Sequence, residues 1–258
     1  MLSFLADAPE GGTLRPMPKI QGARERARTE VTAAIKDEAR RQLTEQGAAR
    51  LSLRAVAREL GMVSSALYRY FPSRDDLLTA LIIDAYDAVG AAAERALDAA
   101  PAPSPDTHLE RWLAVCRAVR AWALDHPHEY ALIYGSPVPG YSAPQATTGP
   151  ASRVALALIT VVGEAAAAGD LRAPADGAEA AAGMRGDAER LAEQLGLALT
   201  PTLMAELVAT WSQLFGLVSF EVFGQFNRVV EAREEFFDHA AARLARGLGI
   251  GTGADGDA

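Results

Sequence analysis

The chain has 258 residues, half of them apolar, with 25 Lys or Arg against 33 Asp or Glu and a formal net charge of −8, enough apolar material for one small head and one larger domain. Its lone cysteine, Cys116, excludes an internal disulfide and any zinc site built on paired thiolates. No run of about 18 apolar residues is free of charge, which argues against a spanning helix, and the opening MLSFLADAPEGGTLRPMPKI lacks a basic start and is broken by Asp7 and Pro9, so no secretory signal is read and the expected compartment is the cytoplasm.

Residues 1–23, rich in Pro and Gly, read as a disordered arm. The first helix is predicted over 24–46 from the stripe Val31, Ile35, Ala39 and Leu43, and it ends before Gly47. Two short helical patterns then meet within residues 51–77, LSLRAVARELGMVSSALYRYFPSRDDL. Leu53, Val56, Ala57 and Leu60 recur at helical spacing, Gly61 sits where a helix stops with positive φ, and Leu67 and Phe71 resume the apolar face. This is a helix-turn-helix pattern. Ser64, Ser65, Tyr68 and Arg69 lie on the opposite face, with Tyr70 beside them, Arg74 past the Pro72-Ser73 break, and Ser52 and Arg54 at the entry of the first short helix. Together they make a candidate surface for base edges and phosphates.

Charge is divided along the chain. Residues 24–74 hold eleven basic and six acidic groups, whereas 85–258 hold twelve basic and twenty-two acidic ones. A basic head on an acidic body suits nucleic-acid binding at one end, because phosphate attraction is screened within roughly 8 to 10 Å at cell-like salt.

On these positions residues 24–84 resemble the amino-terminal domain of TetR/AcrR-type transcriptional regulators: Ala39 and Gly47 in and after the first helix, Leu51-Ser52, Val56-Ala57, and Gly61 through Leu77. The resemblance implies a three-helix DNA-binding head, a homodimer on a palindromic double-stranded operator, and a carboxy-terminal domain that binds an inducer. Val63 departs from the pattern by standing where Ser or Thr usually caps the recognition helix.

Beyond the head a long helix is predicted from Arg74 to about Ala100, where PAPSP stops it. Helices follow over 106–126 and 127–134, then an irregular loop, GSPVPGYSAPQATTGP, over 135–150. Another helix spans 151–168, and an Ala-rich stretch over 173–196 is expected to be helical but interrupted near Gly183 to Gly186. The last two helices cover 201–226 and 229–247, and 249–258 read as a disordered tail. No strand pattern or internal repeat is present. The expected fold is all-α, a helix-turn-helix head over 24–84 plus a larger helical ligand-binding and dimerisation domain over 85–248.

In the final pair, Met204, Val208, Phe215, Val218, Val222, Phe226, Phe237 and Leu244 step at helical spacing and form the candidate dimer interface. WSQLFGLVSFEVF and YALIYGSPVPGY resemble the WHG-type variant of these bodies, with Phe215 where His is common. Trp112, Cys116, Tyr130, Tyr134, Met184, Trp211 and Phe215 are the candidate pocket for a small apolar effector, although each taken singly reads as ordinary core. Glu164 and Glu221 fall within apolar helices, where a carboxylate requires either a structural cation or a ligand to orient.

His108, His126, His128 and His239 lack the spacing of a helical metal pair, and no cofactor is expected. Phosphate-loop, nucleophile-elbow and metallohydrolase motifs are missing from the sequence, so catalysis is not expected. The sequence reading is therefore a ligand-released repressor, against the alternative of an α-helical interaction bundle or small enzyme that does not bind DNA.

Overall fold

The computed structural model describes residues 22–172, 181–197 and 199–251; the predicted arm up to residue 21, and residues 252–258 of the predicted tail, lie outside them. Among the described residues the regular structure is helical throughout. The α-helices are α1 (Ala23–Gln46), α2 (Leu53–Glu59), α3 (Ser64–Leu67), α4 (Arg74–Ala99), α5 (His108–Asp125), α6 (Pro127–Tyr134), α7 (Thr148–Ala168), α8 (Ala182–Leu195), α9 (Pro201–Val222) and α10 (Arg233–Gly247).

Two cores organise them. The head core gathers Ile35, Ala39 and Leu43 from α1, Val56 and Ala57 from α2, Leu67 from α3, and Leu77, Leu78 and Leu81 from α4. The body core begins further along the same α4, at Ala85, Val89 and Ala93, and adds Trp112, Val115 and Val119 of α5, Val161 of α7, Leu214 and Val218 of α9 and Ala241 of α10. Helix α4 thus belongs to both cores. Its start is fixed by Ser73, whose Oγ accepts from the Asp76 N–H at 3.1 Å, with Asp75 and Asp76 favourably placed in the first turn.

Close packing of α4 against α7 depends on Gly90, where an added Cβ would lie 2.6 Å from the Arg153 Cβ. Arg153 can therefore cross α4 and bind Asp87 at 2.7 Å and Glu94 at 2.8 Å. Glu164 and Glu221, the two carboxylates singled out in the sequence, are each bonded to an arginine. Arg120 donates to Glu221 at 2.6 and 2.7 Å, and Arg111 donates to Glu164 at 2.9 Å and to the Pro101 carbonyl at 2.6 Å. Residues 145–168 and α9 are long and apolar enough to cross a membrane by length and composition alone, but each is only one side of this packed body.

Several boundaries differ from expectation. Helix α7 begins at Thr148, entered through a 3₁₀ turn at Gln145–Thr147, and α8 runs unbroken through Gly183 and Gly186. Helix α9 stops at Val222 because Gly224 and Arg228 take φ of 79° and 63° and turn the chain toward α10. The start of the predicted tail is not loose: Ile250 is buried, and the Arg172 N–H donates to the Gly249 carbonyl at 2.9 Å.

Candidate nucleic-acid interface and apolar cavity

The turn between α2 and α3 is set by backbone bonds. Ser52 caps α2 by accepting from the Ala55 N–H at 3.4 Å, Gly61 takes φ 64°, and the Met62 N–H reaches back to the Ala57 carbonyl at 2.8 Å. Val63 is the cap residue of α3; its carbonyl accepts from Ala66 at 2.9 Å, but no side chain caps the helix. Outward from this turn stand Val63, Ser65, Tyr68 and Arg69, all exposed, with Arg50 and Arg54 exposed nearby and Ser64 half-buried. Arg50, Arg54 and Arg69 form no ion pair among the described residues, so their charge is available to a polyanion.

In the body, α5, α7, α8 and α9 surround a cavity of about 350 Å³. It is lined by Trp112 of α5, Leu156 and Ile159 of α7, Leu191 of α8, and Met204, Val208 and Trp211 of α9. Among the described residues no charged group lines it. Ser152, the hydroxyl among the described lining residues, already donates to the Gly149 carbonyl at 2.8 Å, while the Trp112 indole N–H donates to the Ala241 carbonyl at 3.0 Å. Leu156, Val208 and Trp211 are each about two-fifths exposed, which makes them the mouth.

A second concavity lies outside the body, between α9 and α10, bordered by Gly216, Leu217, Phe220, Phe226, Phe236 and Leu244. Phe220 is 53% exposed, and its ring meets that of Phe226, which meets Phe236 in turn. Glu206, His239 and Arg243 supply charge and polarity along the same groove.

Known relatives agree with this arrangement. The family model for bacterial regulatory proteins of the tetR family matches residues 35–81, and that for the tetracyclin repressor-like C-terminal domain matches 112–244. HTH-type transcriptional regulators Rv1816 of Mycobacterium tuberculosis and Mb1846 of Mycobacterium bovis are each 43% identical to the chain over 211 residues, covering 80% of it and 86% of the relative. The chain belongs to the TetR family.

Among solved structures, regulatory protein SCO4313 is 34% identical with a TM-score of 0.68, covering 85% of this chain and 97% of its own. The TetR-family regulator PfmR from Thermus thermophilus, at 20% identity and TM-score 0.54, shares the fold over 83% of this chain and 98% of its own. This TetR-family chain is accordingly a DNA-binding transcriptional regulator with a helix-turn-helix head.

Within that TetR-family frame the head residues read from the sequence divide into three groups. Ser65, Tyr68, Arg69 and Arg54 are exposed, with Ser64 at their edge. Ser52 and Tyr70 have structural duties as well: the first caps α2, and the second packs on the head core with the Arg28 guanidinium 5.5 Å over its ring.

Arg74 is a correction. Expected to face phosphate, it instead folds back to donate to the Ala48 carbonyl at 2.9 Å and the Leu51 carbonyl at 3.2 Å, tying α4 to the turn after α1. Arg54→Ala and Arg69→Ala should each lower the salt dependence of operator binding by roughly 0.9 in log–log slope. Arg74→Ala should instead destabilise the head by about 1 to 3 kcal/mol. Anisotropy titrations at several salt concentrations, with thermal melts, check both; a slope change for Arg74→Ala without a stability loss would restore it as a phosphate contact.

Body positions need more revision. Trp112 and Trp211 line the cavity as expected, but Cys116 is wholly inside the core, where burial pushes its thiol up, and Met184 is an exposed residue of α8 outside the lining. Tyr130, Tyr134 and Phe215 form an aromatic cluster beside Trp211 rather than the cavity wall. Of the candidate interface, Met204 and Val208 line the cavity instead, and Phe215, Val218 and Phe237 are buried within the protomer. Val222 packs against the body core, leaving Phe226 and Leu244 on the outer groove.

The reason is that α9 is apolar nearly all round, so its inner stripe and its outer one are equally legible as sequence. Phe220 and Phe236, which flank those positions on the same two helices, also border the outer groove. The His108 ring bonds Asp170 at 3.0 Å and His126 stacks on Trp122, both as parts of the body.

Proposed function

We propose that this regulator is a homodimeric repressor, acting in the cytoplasm on a palindromic operator and released from it by a neutral, mostly apolar effector. The cavity carries the ligand reading, because an uncharged lining whose polar groups are already bonded favours a molecule that asks for no buried partner. The outer groove of α9 and α10 supports the dimer, since an exposed aromatic row rimmed by polar groups marks an association face. Two heads must then stand about one helical turn, ~34 Å, or a multiple apart to enter successive major grooves.

Coupling follows contacts between cavity and head. Trp211 at the mouth touches Phe215 with ring centroids 5.5 Å apart, Phe215 touches Tyr134 of α6 at 4.3 Å, and Tyr134 meets Tyr86 of α4 edge-on at 5.9 Å. Burial pushes Tyr130 up to about 12 and raises Tyr134 too, so these phenols remain neutral.

From α6, Glu129 holds Arg40 of α1 at 3.0 Å, and Arg40 also holds Asp84 of α4 at 2.7 Å. Leu132, Val138 and Tyr141 pack on the head core, with Tyr141 hydroxyl-bonded to Thr79 at 2.9 Å. A ligand that displaces Trp211 thereby shifts α6, and with it the angle of the head. Only a differential preference for the shifted arrangement can release DNA.

The test uses 1-N-phenylnaphthylamine, a neutral apolar probe. It should quench tryptophan emission, raise the operator dissociation constant, and itself bind operator-loaded protein more weakly by the same factor. Val208→Phe, which fills the mouth, should abolish probe binding while operator affinity is retained. Probe binding with unchanged operator affinity would remove the case for induction.

A further inference from the structure

We propose that Val63 reads the 5-methyl group of a thymine in the operator. It is 70% exposed, although it sits in a turn held by backbone hydrogen bonds on both sides. The Met62 N–H to Ala57 bond precedes it, and its own carbonyl holds the Ala66 N–H at 2.9 Å. Its backbone is extended at φ −70° and ψ 137°, and a β-branched side chain has few rotamers to choose from. The isopropyl group is therefore presented outward in a fixed direction.

Among the described residues no apolar core takes it up. At this backbone position Ser, Thr or Asp would accept from an N–H of the following turn, whereas valine leaves the helix without a side-chain cap and puts apolar surface in water. Stability of the isolated chain favours a polar residue here, so the apolar one points to a partner with an apolar feature. Ser65, Tyr68 and Arg69 are exposed on the same side, and Arg54 stands close by in sequence on α2. Residues at the start of the second helix of such a motif reach base edges in the major groove, and the apolar group presented there is the thymine methyl.

The test starts from a duplex selected from random sequence with the purified full chain. Each thymine is then replaced by deoxyuridine, which removes only the methyl, and binding is followed by anisotropy. At one position in each half-site the loss should be roughly three- to fourfold, and about tenfold when both half-sites are changed.

Val63→Ser and Val63→Ala should bind the thymine duplex as weakly as the wild type binds the uracil one, and should not distinguish the two. Circular dichroism melts no lower than wild type for Val63→Ser keep the comparison free of folding effects. If no deoxyuridine substitution weakens the wild type, or if both variants retain the thymine preference, the methyl is read by another side chain or by duplex flexibility and the proposal is overturned.

Discussion

Phe220→Asp is expected to give a folded monomer whose affinity for a palindromic operator falls by roughly a hundredfold or more, because the second head no longer binds as part of the same molecule. Phe220 is 53% exposed in the protomer and stands on the outer groove with Phe226 and Leu244, so a carboxylate there costs the single chain little. Across a dimer contact the same carboxylate is buried without a partner, at a cost of several kcal/mol. Sedimentation velocity and operator titration read the two effects separately. An undisturbed dimer with wild-type affinity would place the contact elsewhere. Val218→Glu is the wrong probe, because Val218 is wholly buried in the body core and its loss would report folding.

The largest expected stability effect belongs to Arg120. Its guanidinium bonds both Glu221 oxygens, and it lies 5.5 Å over the Phe237 ring, while the Glu221 side chain is only 5% exposed. Arg120→Met removes the cation and leaves the carboxylate uncompensated inside the body, which should cost about 3 to 5 kcal/mol in urea unfolding. Adding Glu221→Leu to Arg120→Met should recover most of that loss, since an apolar pair of similar volume avoids desolvating two charges. A double variant as unstable as the single one would mean that the pair does more than neutralise itself, and that the shape of the guanidinium between α5, α9 and α10 matters in its own right.

The head was the most legible part of the chain because its signals are local. Gly61 and the spacing of Leu53, Val56, Ala57, Leu67 and Phe71 fix a turn and two faces within some twenty residues, and those apolar positions are buried as read. Arg74 escaped because its partners, the Ala48 and Leu51 carbonyls, lie more than twenty residues away and backbone acceptors leave no mark in sequence.

In the body, helix spans were readable but helix facing was not. Alternation tells inside from outside only when one side is polar, and α9 offers apolar groups in almost every direction. Met204 and Phe220 could therefore be sorted only by tertiary contacts. Glu164 and Glu221 were correctly marked as needing partners, yet nothing local named Arg111 and Arg120 as those partners.

Helix α4 contributes Leu77, Leu78 and Leu81 to one core and Ala85, Val89 and Ala93 to the other without a break between them. The regulator thus has no hinge of the kind that lets tethered modules tumble independently. Melting either core strips a face from the helix that nucleates the other, so unfolding of head and body is thermodynamically linked. Selection for a stable body then also limits how far the recognition surface can drift, and a substitution deep in the body can alter gene control simply by softening the shared rod.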